Sequence, residues 1–371
     1  CTGACEDGRK AQAVRMAFIG PMTGPYRPVG KEAAQVLKLL VADVNAKGGV
    51  LGRPVEMLYA DDGDDPGKAV QAGKTMIGRG IVAAVGSLQS SATAALQGVF
   101  DDAKIVHVSY GSTAPSLAEK GYRYFFRTCP QDNEQAKVVA GRIRKAGIKK
   151  AAILHDGSLY GSELAERVGT RLFDYMIDVV YQGALAPGRA DYTPELAKIR
   201  AAGPEVLFYA GYYPEAAALL KGRQRLQWDA VFVGGDGTDN PELVRLAGRK
   251  AAEGFYFISP PEPSDLKSPR AKQFLARYRE AYGEDLSSIH ALFAGDAFLA
   301  VVAAIDKTGT TAAEKVADYL HRTYVNPAGL TGNLYFDYKG DVVGDLQAIY
   351  RIDAEGRSVL QTTIRRGTSA K

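Results

Sequence analysis

From Val14 onward, short runs of β-branched and other apolar residues alternate with segments of helical periodicity, in two successive series. Alternation of this kind builds doubly wound parallel sheets with helices on both faces. In the first series VRMAFIG (14–20) reads as a strand. Residues 30–47 then place Ala33, Ala34, Leu37, Leu40, Val41 and Val44 at helical spacing before Gly48 and Gly49 stop the helix. PVEMLYADD, VAAVGS (82–87), IVHVSYG (105–111) and YFFRT (124–128) supply further strands, with helices expected to begin near Ser90 and Thr113. A second series runs through AAILHD (151–156), DVVYQGAL (178–185), VLFYAG (206–211), AVFVGGD (230–236) and GFYFIS (254–259).

After Pro260 and Pro261 come consecutive helices, the most apolar over 289–307, and then short strands near 333–337 and 346–353. Helices without an intervening strand cannot extend a βαβ series, so they are expected to return and cover the first unit. A chain of 371 residues also exceeds one ordinary core. The expected architecture is α/β: two doubly wound parallel-sheet lobes, 14–128 plus 260–330 and 129–259 plus 331–365, with 1–13 as a tail. Crossings near Thr128, Ser259 and Leu330 form a three-strand hinge, and a hinge between lobes makes a cleft.

Composition excludes several functions. The formal charge of +4 comes from 46 basic and 42 acidic residues with no dominating basic block, which argues against nucleic acid as a partner. The longest apolar stretch, 291–305, is interrupted by Asp296 and falls short of the roughly 20 residues needed to cross a bilayer, so it reads as a buried helix. The opening CTGACEDGRKAQA reads as the start of a mature lipoprotein anchored through Cys1, which would place the chain outside the cytoplasm. Cys5 and Cys129 can pair there only if their Cα atoms come within reach.

Catalytic and metal signatures are weak. There is no G-x-S-x-G, no G-x-G-x-x-G after the first strand, and 24–31 misses the phosphate-loop pattern. None of the four histidines has zinc-ligand spacing with another, and His107 reads as a core residue inside a strand. DDGDDPG lacks the distal acid of a calcium loop; Asp65 and Pro66 read instead as the N-cap and first residue of a helix. The sequence therefore calls for no metal, no cofactor and no enzyme.

In open α/β sheets ligands bind beyond the carboxyl ends of the strands. Ser90 or Ser91 is placed to cap a helix whose unpaired N–H groups suit a carboxylate. Ser112 and Thr113 precede Pro115 at a second such start, and Gly111 lets the backbone approach a ligand closely. In the second lobe Asp236 lies between glycines at a strand end, where a carboxylate can meet an ammonium group or simply form a turn. Tyr160 and Tyr212, after other strand ends, offer apolar faces with polar tips. Donors for an anion on one lobe and an anion on the other describe a clamp for a zwitterion.

At these loops the sequence resembles the leucine/isoleucine/valine-binding proteins, the extracytoplasmic receptors of branched-chain amino-acid ABC importers. The segments that carry the resemblance include FIGPMTGP, DVNAKGGVLGRPVE, YADDGDDP, GSLQSSAT, STAPSLAEKGYRYFFRT, ILHDGSLYG, YAGYYPE, VGGDG and LTGNLYFDYKGD. The resemblance implies a type I periplasmic-binding fold, a monomer that delivers an amino acid to a membrane permease, and no chemistry. It gives the ligand carboxylate to Ser90 and Thr113 and the ammonium to the Gly111 carbonyl, the Thr113 hydroxyl and Asp236. Tyr160, Tyr212, Leu88, Gln89 and Val29 would complete the pocket. The chain departs from the family pattern at Asp236, where glutamate is frequent, at Gly63 and Gln89, which replace a cysteine pair, and at Val29, which replaces an aromatic that Tyr26 can substitute. A sensory receptor for a related amide or aromatic acid, or an α/β enzyme, shares the scaffold and stays open at this stage.

Overall fold

The computed structural model describes residues 12–343 and 346–365. Five strands, β1 (Val14–Gly20), β2 (Val55–Asp61), β3 (Ala83–Val85), β4 (Val106–Ser109) and β5 (Phe125–Arg127), form one all-parallel sheet in the order β2-β1-β3-β4-β5. A second sheet contains β6 (Lys150–His155), β7 (Asp178–Ala184), β8 (Val206–Ala210), β9 (Val231–Gly234) and β10 (Tyr256–Ser259). A two-residue antiparallel pair, β11 (Val325–Asn326) and β12 (Leu334–Tyr335), precedes β13 (Leu346–Ile352) and β14 (Ser358–Arg365), which pair antiparallel at the edge of the second sheet. Its order is β14-β13-β10-β9-β8-β6-β7. Two doubly wound lobes are present, as the alternation of patterns predicts. In each, the first strand sits between neighbours reached in opposite directions, β1 between β2 and β3 and β6 between β7 and β8. Such switch points open a crevice at the carboxyl edge.

Local chemistry sets the helix boundaries. The first helix, Arg27–Ala46, begins three residues before the expected Gly30, because Pro28 is tolerated in a first turn where backbone N–H groups lack partners anyway. Pro66 opens the next helix behind Asp65, whose side chain accepts from the Lys68 N–H. The apolar stretch lies in Ile289–Thr308, which packs into the first lobe against Arg27–Ala46. Gly295 permits that contact: a Cβ there would come within 3.0 Å of Leu330, Val36 and Leu40. Asp296, buried in the same helix, accepts from the Leu330 and Thr331 N–H groups and the Thr331 hydroxyl, so it ties down the loop that follows instead of breaking the helix. His107 is buried in β4 between Phe100 and Phe125, and burial holds its pKa down at about 4.

The third crossing lies later than expected. The anticipated change of lobe near Leu330, with 331–365 in the second lobe, does not match the path of the chain. Phe336 packs edge-on to Phe126 at 5.2 Å, and Asp341 bridges the edge strand β5 at Arg127. The chain therefore stays against the first sheet through Asp341 and joins the second only at β13. The cause is electrostatic. Arg127, fully buried, donates from Nε to Asp341 Oδ1 at 2.5 Å and from Nη1 to the Ser112 and Ala114 carbonyls at 3.1 and 2.8 Å. Gln131 Nε2 donates to the other Asp341 oxygen at 3.1 Å. Removing one partner of a buried pair leaves the other charge without compensation. Asp341→Ala is expected to lower the unfolding free energy by about 3–5 kcal/mol in urea denaturation; a loss below about 1 kcal/mol would mean that the pair does not hold this junction.

Candidate functional site

In the first lobe, the loops after β3 and β4 are stitched together by small hydroxyls. The Ser87 N–H donates to Thr93 Oγ1 at 3.1 Å, and Thr93 Oγ1 lies 2.8 Å from Ser112 Oγ. Ser112 Oγ donates to the Leu88 carbonyl at 3.1 Å, and Ser109 Oγ to the Ser87 carbonyl at 3.1 Å. Glycine is required at 111, where a Cβ would lie 2.5 Å from the Leu88 side chain and 3.0 Å from its carbonyl oxygen.

The two expected helix starts differ in detail. Gln89, not Ser90 or Ser91, is the cap of Ser90–Asp102, and it makes no side-chain capping bond. Ser90 is the first helical residue, and its buried hydroxyl accepts from the Ala114 N–H at 3.3 Å, so the serine joins the two loops. Thr113 does not open a long helix; a single turn, Ser116–Glu119, follows Pro115. Both loops still deliver polar groups to the crevice, at Ser90, Gly111 and Thr113.

The second lobe presents Asp236 on a 3₁₀ turn, Asp236–Thr238, after β9. The Asp236 N–H donates to Gln135 Oε1 at 2.8 Å, and the Gly237 N–H donates to Tyr160 Oη at 3.1 Å. Tyr160 occupies the first turn of Leu159–Asp174, fixed by the Ser158 cap, and its ring lies 5.2 Å from Tyr212. Tyr212 in turn meets Tyr26 of the first lobe at 5.2 Å, and Tyr26 meets Tyr213 edge-on at 5.6 Å. The Tyr213 hydroxyl donates to the Pro25 carbonyl at 2.9 Å, and the Ser116 N–H to Glu163 Oε2 at 3.0 Å. The lobes thus touch across the cleft.

Between them lies a cavity. Its wall contains Val29, Leu88, Ser90, Gly111, Thr113, Tyr160, Tyr212 and Asp236, all singled out in the sequence. Gln89 is not in the wall; it is taken up as the helix cap. Sequence reasoning missed Tyr213, Gly237, Asp239, Asn240 and His290. Asp239 and Asn240 directly follow the turn at Asp236, whereas His290 lies in the first turn of an apolar helix, in a part of the chain that carried no ligand signal. No lysine or arginine lines the wall, and among the described residues no cluster of ligating side chains suits a metal ion.

These features place the chain among proteins of known family. The family described as periplasmic binding protein matches residues 13–356. The chain belongs to the periplasmic binding protein family. The leucine-, isoleucine-, valine-, threonine- and alanine-binding protein of Pseudomonas aeruginosa is 32% identical over 337 residues, covering 90% of this chain and 88% of that protein. A leucine-binding protein from Thermotoga maritima superposes with a TM-score of 0.88 at 24% identity, covering 95% and 99% of the two chains. A branched-chain amino-acid transporter substrate-binding protein from Streptococcus pneumoniae, solved with isoleucine, superposes with a TM-score of 0.85 at 25% identity, covering 96% and 99%. Periplasmic binding proteins are extracytoplasmic receptors of solutes, not enzymes. Cys129, buried and free, donates to the Ser112 carbonyl at 3.4 Å; Cys1 and Cys5 lie outside the described residues.

The electrostatics of this periplasmic binding protein's cleft are one-sided. Asp132, fully buried behind Thr113, is held well above the usual carboxylate range by burial and then by the nearby Asp236, against a hydrogen bond from Thr113. Gln135 Nε2 donates to its Oδ1 at 3.2 Å, while its Oδ2 has no partner. Burial, and then Glu262, push Asp239 up to about 8. A carboxyl whose folded pKa exceeds its unfolded value keeps its proton in the native state after the unfolded chain has ionised. Its burial costs nothing below the ordinary carboxylate pKa of about 4, and a growing amount as pH rises toward the folded value. In calorimetry without ligand, Asp132→Asn should melt with the wild-type protein near pH 4, and about 2 °C or more above it near pH 8. Equal melting temperatures near pH 8 would refute the raised pKa.

Proposed function

We propose that the cleft captures a free α-amino acid with an uncharged side chain in the branched-chain size class, and that lobe closure presents it to the permease of an ABC importer. The observation that carries this reading is the distribution of charge around one cavity. The first lobe contributes the Ser90 hydroxyl at a helix start and the backbone at Thr113, suited to a carboxylate, and the second contributes the side chain of Asp236, suited to an ammonium. Since no lysine or arginine among the described residues lines the wall, the side chain of Asp236 calls for a cation from the ligand.

The Thr113 hydroxyl donates to Asp132, which leaves its oxygen free to accept from an ammonium, while Ser90 and the helix start face the carboxylate. Tyr26, Val29, Leu88, Tyr212 and Tyr213 offer the apolar surface for a side chain. Burial raises the hydroxyl pKa of Tyr160 and Tyr212 far above neutrality, so both stay uncharged beside Asp236.

The names of the relatives support the ligand class. The Pseudomonas aeruginosa protein binds leucine, isoleucine, valine, threonine and alanine, and the Escherichia coli relative, 28% identical over 349 residues, is a Leu/Ile/Val-binding protein. Closure favours the liganded form because Asp236, Tyr160 and Tyr212 gain contacts only when the lobes meet, and water exclusion strengthens the ion pair. The receptor acts as a monomer whose closed shape the permease recognises. Isothermal titration with a panel of L-amino acids is expected to yield at least one tight binder. Asp236→Ala should weaken it by about 2–5 kcal/mol, the usual cost of stranding a buried charge. Unchanged affinity in that variant would overturn the clamp.

A further inference from the structure

We infer that His290 gives the pocket a further polar anchor and tunes it for a small α-amino acid whose side chain carries a hydrogen-bond donor, of the threonine or asparagine kind, over the aliphatic side chain of the same shape. The inference rests on the amino-acid reading of the cleft and specifies what that reading leaves unselected, the side chain.

His290 lies in the first turn of Ile289–Thr308, and its ring forms part of the cavity wall with Leu88, Val29 and the tyrosines. The ring rests edge-on to Phe293 at 6.0 Å. The ring forms a hydrogen bond with the Tyr110 backbone and feels the charge of Asp236 across the cavity, while Nδ1 is buried without a hydrogen-bond partner among the described residues. The neighbouring polar side chains on this part of the wall are each engaged through one oxygen. Asp239 Oδ2 accepts from Ser259 Oγ at 2.6 Å, and Asn240 Oδ1 accepts from the Glu242 N–H at 2.9 Å.

Burial holds the His290 pKa below its ordinary value, so the ring is neutral at pH 7. A neutral imidazole has one donor and one acceptor nitrogen. The Tyr110 carbonyl takes the N–H, which leaves an acceptor. An ammonium group has three N–H donors, and Asp236, the Gly111 carbonyl and Thr113 Oγ1 take all three. The acceptor of His290 is then a requirement beyond the α-amino and α-carboxyl groups, and only the ligand's side chain remains to meet it. A buried polar group left unpaired by the wrong ligand is the strongest basis for selecting between isosteres, whereas an apolar pocket distinguishes them poorly.

The test is titration of the full chain at pH 7 with two isosteric pairs, L-threonine against L-valine and L-asparagine against L-leucine. In the wild-type protein the donor-bearing member of at least one pair is expected to bind about tenfold tighter or more. His290→Phe should abolish or reverse that ratio, and His290→Gln, which keeps an acceptor, should retain most of it. Valine and leucine binding as tightly as their partners in the wild-type protein, or a ratio that survives His290→Phe, would overturn the assignment. Binding of no amino acid by a folded wild-type protein would instead overturn the amino-acid reading, and this inference with it.

Discussion

The guanidinium of Arg127 is the constraint on which both the hinge and the binding loop depend. It stands at the end of the last strand of the first sheet, where the chain first leaves for the second lobe, and it is fully buried. Its ion pair with Asp341 holds the last crossing beside the first. Its bonds to the Ser112 and Ala114 carbonyls fix the loop that carries Gly111 and Thr113. The hydroxyl of Thr128, one residue on, donates to the Phe293 carbonyl at 2.9 Å in the helix that presents His290. One cation therefore relates the path of the hinge to the position of two cavity-lining residues, and its neighbour Thr128 ties in the helix of a third. A buried ion pair contributes little net stability, so its value here is geometric: it admits a single arrangement of segments distant in sequence.

The same logic explains how much of the fold could be read from sequence. Strand positions follow from local periodicity, and both lobes are legible because each parallel strand is a continuous apolar run that recurs after a helix. The last crossing is different. Nothing local distinguishes 331–341 from a strand of the second lobe, because the segment is held by Asp341 meeting a residue 214 positions away. The missed edge strand β14 pairs only with its neighbour β13 and is exposed along much of its length, so its sequence lacks the apolar signal of the central strands.

At the site, residues at strand ends were legible, since topology alone places them in the crevice. Ser90, Gly111, Thr113, Tyr160, Tyr212 and Asp236 all follow such ends. Their local roles were less legible. Ser90 reads as a cap, yet tertiary packing brings the Ala114 N–H to its hydroxyl, and Gln89 takes the cap position and leaves the wall. His290 and Asp132 carry no such signal. The first lies in the first turn of a helix whose apolar pattern speaks only of burial, and the second lies just past the first crossing, where it reads as an ordinary acid in the first turn of a helix.

The acidic side chains behind the pocket share a physical logic. Asp132, Asp236 and Asp239 gather where the lobes meet without a lysine or arginine in the wall. Burial raises the pKa of Asp132 and Asp239, which favours their neutral forms and lessens the repulsion among the three. In the proposed clamp Asp236 is then the group that meets the ammonium. A cation in the wall would have relieved the same repulsion by pairing with Asp236 internally, and the empty cleft would then have had no unmet charge for a ligand to satisfy. On that proposal, favouring the neutral forms of the neighbouring acids keeps Asp236 available, and the affinity of the cleft depends on burial deep in the lobes as much as on the groups in the wall.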